Sequence, residues 1–162
     1  MEEVKKEQIG IVVDDGTVEV PITNLTGKQV GVFYFRPTDI NILKRYNDVV
    51  EKIGDVAEPL VNANINTDGK GEDAESIEIV EQAEKRLYEL MDYLFDGNYA
   101  EAFFGSMNPY SPIGGRFYAE VALEAVGNYI SDKFNTELKN VSDRMKKHTH
   151  GYRTGKHKKG KQ

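Results

Sequence analysis

The residues best suited to chemistry in this chain are three histidines, His148, His150 and His157, because imidazoles two positions apart can share a divalent ion. They stand in a basic, glycine-containing run with no acid beyond Asp143, so the mixed ligand set of a metal centre is missing and they read as polar tail residues. Gly114, Gly115 and Arg116 offer backbone N–H groups and a guanidinium to an anion. The Lys-Ser/Thr that completes a P-loop does not follow, and the step reads as the end of a loop and the start of a helix. Asp14 with Asp15 and Glu2 with Glu3 are adjacent carboxylates in a turn and near a terminus, where nothing buries them to shift a pKa. Asp68, Glu72 and Asp73 lie in a polar stretch whose spacing does not match a calcium loop. The absence of cysteine rules out a thiolate nucleophile, disulfides and cysteine-ligated zinc or iron–sulfur sites. The expectation is a protein with no cofactor and no metal that is not an enzyme.

Binding is the remaining class, and charge points the same way. From Arg144 to the last residue the chain holds eight Lys or Arg and no acid, while the preceding residues hold thirteen bases and all twenty-seven acids. An acidic body of formal charge −14 thus carries a basic end of +8, a division that separates a folded part from a contact-making part. Lys146, Lys147, Arg153, Lys156, Lys158, Lys159 and Lys161 are the candidate contacts there. A chain of 162 residues makes one domain able to bury roughly 70% of the surface its unfolded form exposes. The mean hydropathy of −0.56 describes a soluble protein. The N-terminus shows no signal-peptide core and no run approaches a membrane span, so the reading is neither secreted nor membrane-embedded.

The elements that must position any binding surface follow from periodicity. Residues 9–13 and 17–22 are β-branched and flank Asp14-Asp15-Gly16, a hairpin turn. Asn24-Leu25-Thr26-Gly27 then leads into residues 29–36, the best candidate for the central strand of a small antiparallel meander. Pro21 is tolerated only at an edge or an end. Pro37-Thr38-Asp39 stops the strand and caps a helix with apolar positions Ile40, Leu43, Tyr46, Val50 and Ile53, expected to end between Gly54 and Pro59. Residues 62–73 read as the main loop. A second helix over residues 74–95 has Ile77, Val80, Leu87, Leu90, Met91 and Leu94 inward, with glutamates mostly outward. A short helical turn near residues 99–104 and an irregular loop over 105–115 come next. From Arg116 a long helix follows, with Phe117, Val121, Leu123, Val126, Ile130, Phe134, Leu138, Val141 and Met145 at three- and four-residue steps. At roughly 45 Å it exceeds what a domain this size covers, so part of its stripe is available to another chain.

The predicted fold class is therefore α+β: a small N-terminal antiparallel β meander followed by a mainly helical region of about three helices, the last one long. Residues 1–148 form one domain, β-rich over 1–36 and helical over 37–148, and residues 149–162 form a basic, disordered tail. Phe103, Phe104, Tyr110, Ile113, Phe117 and Val121 crowd apolar surface around the irregular loop. They read either as a plug that packs the helices together or as a sticky surface for a partner.

In the order of its segments the chain resembles the tail assembly chaperones of long-tailed siphophages of Gram-positive hosts. A strand-rich start, Phe33-Tyr-Phe-Arg-Pro-Thr-Asp39 leading into a helix, and Ala102-Phe-Phe-Gly105 before a long last helix carry the likeness, which spans most of residues 10–145. The resemblance implies a non-enzymatic protein of the host cytoplasm, absent from the mature virion. It would self-associate, bind and solubilise the tape-measure protein, and assist polymerisation of the tail-tube protein around it. Two other classes compete: a structural tail or head–tail connector protein, and a nucleic-acid-binding module acting through the basic tail. The acidic body argues against the second, and no membrane partner is expected.

Overall fold

The computed structural model describes residues 9–62 and 74–160, with residues 61–62, 74–75 and 148–160 as backbone only. The fold is α+β: an N-terminal two-stranded antiparallel sheet, then a mostly helical region of four helices, the last one long, among the described residues. Strands β1 (Val18–Thr23) and β2 (Gln29–Phe35) pair with Val18 opposite Phe35 and Val20 opposite Phe33. The hairpin closes because the Asn24 side-chain oxygen accepts the Thr26 N–H at 3.0 Å and the Lys28 N–H at 3.1 Å, with Gly27 at φ +86° completing the turn. Val18, Val20, Ile22, Phe33 and Phe35 face inward, as the alternation predicts.

The expected third strand of the meander is absent: residues 9–13 pair with no strand among the described residues, and Ile9, Ile11, Val12 and Val13 are exposed. Register supplies the reason. The Tyr34 N–H and Val32 carbonyl point away from β1, so their opposite numbers Glu19 and Pro21 direct their own backbone groups to the outer edge of β1. Pro21 has no N–H to offer a further strand there. The hairpin turn expected at Asp14-Asp15-Gly16 does not form either: the segment is neither turn nor bend, and the Asp14 and Asp15 carboxylates accept the Gly16 and Thr17 N–H groups at 2.9 and 3.0 Å.

Helix α1 (Asn41–Asn62) starts where Asp39 caps it, accepting the Asn41 N–H at 2.9 Å. It does not stop at Gly54 to Pro59 but runs through Pro59, because Val56 and Leu60 are buried on either side of that residue. Each contributes roughly 1.5–3 kcal/mol by burial, against the ~3 kcal/mol a mid-helix proline costs. The buried face also differs from the one expected. Ile42, Val49, Val56 and Leu60 pack inward, whereas Ile40, Leu43, Tyr46 and Val50 are exposed and Ile53 is half-buried. The helix carries two apolar stripes, and tertiary packing uses the one that periodicity did not select.

Helix α2 (Ala74–Phe95) has the predicted bounds and buries Ala83, Leu87, Met91, Leu94 and Phe95, while Ile77, expected inward, is exposed. The main-loop reading falls on residues 63–73, outside the described residues. Helix α3 (Tyr99–Phe104) is wedged between β2 and α2, and all of its residues but Glu101 are buried. Its first turn is held by the Asp92 carboxylate, which accepts the Ala100 N–H at 2.8 Å; burial pushes that carboxyl up. The segment expected to be irregular contains a small hairpin, β3 (Pro112–Ile113) with β4 (Arg116–Phe117), turned by Gly114 and Gly115 at φ +58° and +81°. Helix α4 (Tyr118–Gly160) therefore begins two residues later than predicted. It continues through the basic segment where composition predicts disorder, as Lys and Arg are good helix formers and suit the negative C-terminal pole.

Phe33 is the hub of the core. Its ring stacks on Phe35 at 4.0 Å and meets the edges of Phe103, Tyr99 and Phe95 at 5.4, 5.5 and 5.9 Å. Ala122 and Val126 of α4 are buried over this cluster, and Tyr118 reaches Phe104.

Where the sheet meets the helices, Arg36 lies 2.7 Å from Asp96, 3.5 Å from Asp39 and 3.8 Å from Asp15, and Arg45 lies 3.3 Å from Asp39. Burial raises the Asp39 carboxyl, but the Asn41 N–H, Arg45 and Arg36 outweigh it, so the group titrates below the usual aspartate range. A depressed folded-state value means that the stabilisation is full above the ordinary aspartate pKa and is lost as the pH falls through the folded value. Asp39→Ala is expected to cost about 1–2 kcal/mol at neutral pH. In thermal melts that deficit should shrink toward zero in acid below the folded value; a deficit independent of pH would remove Asp39 from the clamp.

Candidate protein-binding surfaces

The aromatic residues around the α3 region do not form one sticky surface. Phe103 and Phe104 are each only 5% exposed, which places them in the core. Phe104 stacks on Tyr88 at 5.5 Å and meets Tyr99 and Tyr118 edge-on, because α3 is covered by the sheet, α2 and α4 together. Tyr110 is half-buried. Its hydroxyl donates to the Ala83 carbonyl at 3.1 Å, its ring meets Phe117 at 5.6 Å, and burial, with Glu84 and Tyr88 nearby, pushes its phenol up to about 12. Phe117 and Val121 are half-buried as well, and Ile113, at the tip of the β3–β4 hairpin, is exposed. For Phe103 and Phe104 the plug reading describes the molecule, and the partner-surface reading is corrected. Tyr99, at the centre of the plug, has a buried hydroxyl with no hydrogen-bond partner among the described residues, and burial raises its phenol further still.

Phe103 nevertheless floors a groove. Between the inner face of the β1–β2 hairpin and α4 lies an open hollow of about 230 Å³ lined by Val20, Ile22, Phe35, Phe103, Val126 and Tyr129. Strand alternation supplies Val20 and Ile22, and the α4 repeat supplies Val126 and Tyr129 one turn apart. Ala125, exposed at the rim, keeps the entrance low. The hollow is below the usual size of a small-molecule pocket and offers no charged group, so it suits one or two apolar side chains of a partner. Periodicity could not find it, because it forms between the N-terminal hairpin and α4, elements far apart in the chain.

Two further apolar surfaces face outward. The surplus stripe of α1 exposes Leu43 at 59% and Val50 at 48%, with Tyr46 between them. On α4, Leu138, Val141 and Met145 are exposed beyond the body. Lys146 and Lys147 are exposed on the same helix; the side chains of Arg153, Lys156, Lys158 and Lys159 and all of Lys161 lie outside the described residues. The larger hollow beside the outer edge of β2, about 760 Å³, is polar and bordered by Arg36, Asp96, Asn98 and Glu101. Asn98 is committed to the β2 backbone, and Arg36 to its aspartates.

Among the described residues no three His, Asp or Glu come together as a metal site would need, and no helix is long and apolar enough to cross a membrane. Comparison of the chain with family models, curated proteins and solved structures gives no match.

Proposed function

We propose that the chain is a non-enzymatic binding protein that shields apolar helical segments of a long client, in the manner of the siphophage tail assembly chaperones its segment order resembles. On this reading the client is a tape-measure protein, the tail-tube protein receives it, and the work is done in the host cytoplasm and not in the mature virion. The observation that carries the reading is the open apolar groove between β1–β2 and α4. A helical client segment offers large apolar side chains at three- and four-residue steps, and the groove accepts one or two of them. Each large side chain moved out of water contributes roughly 1.5–3 kcal/mol. The exposed α1 stripe lies on another element and extends the apolar surface available to a long client. A body of formal charge −14 keeps a complex with such a client dispersed.

Co-expression with a long, helix-rich tape-measure protein tests this directly. The client should become soluble and co-elute with this chain. Ala125→Glu, which puts a carboxylate at the groove entrance without touching the core, should weaken capture roughly tenfold, about 1.4 kcal/mol, with an unchanged melting temperature. Recovery of the chain in purified particles, with no effect on client solubility, would overturn the chaperone reading in favour of a structural tail or connector protein.

A further inference from the structure

Helix α4 leaves the body at about Ser131. From there to Lys147 every residue except Phe134 is exposed, and the helix continues to Gly160, a projecting stem of roughly 45 Å. Phe134, Leu138, Val141 and Met145 follow one another at steps of four, three and four, the seam spacing of a coiled coil. Leu138 is 52% exposed, more than a core position of a finished fold.

We infer that the stem pairs with the stem of a second copy of this chain, the two helices running antiparallel about a twofold axis near residues 139 and 140. Charge and register decide both the partner and the direction. With the four apolar residues on the seam, Glu137 and Arg144 occupy the same flanking heptad position, one repeat apart. An antiparallel pair sets Phe134 opposite the partner's Met145 and Leu138 opposite the partner's Val141, each layer occurring twice. In the same register Glu137 lies across from the partner's Arg144, also twice, and Asn135 lies across from the partner's Ser142.

A parallel pair would set Glu137 beside the partner's Ser142 and bring two ends of +8 together. The antiparallel pair instead carries the basic end of each copy back alongside the acidic body of the other, −14 against +8. The interface is isologous, with the same patch on both copies, so it closes as a dimer. The inference rests on the α4 seam and on the charge division of the chain, and does not depend on the client reading of the groove.

Light scattering on the full chain, over a concentration series, should give a dimer. Glu137→Arg and Arg144→Glu, each replacing two attractive contacts by two repulsive ones, should each weaken self-association roughly tenfold. The double variant Glu137→Arg/Arg144→Glu should restore it, which only the antiparallel register allows. Both positions lie outside the body, so the thermal midpoint measured at low concentration should not move. A monomer throughout, larger species that grow with concentration, a dimer indifferent to the single reversals, or one not restored by the double variant would each overturn the proposal.

Discussion

Gly31→Ala should lower the unfolding free energy by about 2–3 kcal/mol, and Gly31→Val by more, to the point where the hairpin no longer packs on the helices. A Cβ at this position would stand 2.2 Å from the Ala102 carbonyl oxygen and 3.1 Å from its Cα, against the backbone of α3 and not the tip of a movable side chain. The clash can be relieved only by moving β2 away from α3 by about an ångström, and at interior packing density such a gap forfeits contacts along the whole seam. The seam includes Phe33, whose ring meets Tyr99 and Phe103 of α3, so one methyl group loosens the hub of the core. Gly27→Ala is the useful comparison: at φ +86° in open space it carries backbone strain without a steric clash, and should cost only about 1 kcal/mol. Urea denaturation of the three proteins separates the cases. A Gly31→Ala midpoint equal to wild type would show that β2 does not sit on α3.

Gly31 also marks where reading the sequence reaches its limit. As one glycine in a run of valines and aromatics it reads as a weak point in a strand, and nothing local announces the α3 backbone against it. Features set by local chemistry were legible: the Asp39 cap, the Asn24 turn, the bounds of α2 and the short helix at Tyr99–Phe104. Features set by which elements meet were not. α1 presents two apolar stripes, and periodicity favoured Leu43, Tyr46 and Val50, while α2 packs on the Ile42, Val49 and Val56 face. Adjacent Phe103 and Phe104 left two readings open, a plug or a partner surface, because the sequence does not show how many elements cover α3. α3 is covered on several sides, so both are buried. The meander reading limited Pro21 to an edge or an end, and an edge is where β1 places it, but it still expected a hairpin turn at Gly16 and a strand over residues 9–13 that do not form. The candidate groove is the extreme case, since it exists only once the hairpin and α4 stand side by side.

Asn98 is the residue whose loss should matter most beyond the steric contacts. Its side-chain oxygen accepts the Tyr34 N–H at 2.8 Å and its amide donates to the Val32 carbonyl at 2.9 Å, so one side chain closes the outer edge of β2 as a neighbouring strand would. Gly97 makes this possible by letting the chain pass close by: a Cβ there would lie 2.4 Å from the Tyr34 carbonyl oxygen. Asn98→Leu keeps the volume, cannot make either bond, and strands two backbone groups against apolar atoms. At about 1–3 kcal/mol for each unsatisfied group, the expected cost is about 3 kcal/mol once partial access of water is allowed for. The Tyr34 amide, protected in the native protein, should then exchange with solvent far faster than that of Phe33, which is paired to β1. Asn98→Asp tests the chemistry more sharply. It can still accept from Tyr34, but it presents a carboxylate to the Val32 carbonyl in a corner that already holds Asp96 and Glu101. An acid so placed has a raised folded-state pKa, and the native state then loses stability as the pH rises through the carboxylate range. Protonation returns a donor, so Asn98→Asp should approach the wild type near pH 4 and fall to the level of Asn98→Leu or below at neutral pH. A cost for Asn98→Asp that does not change with pH would mean that Asn98 fills space at the corner and does not pair the strand.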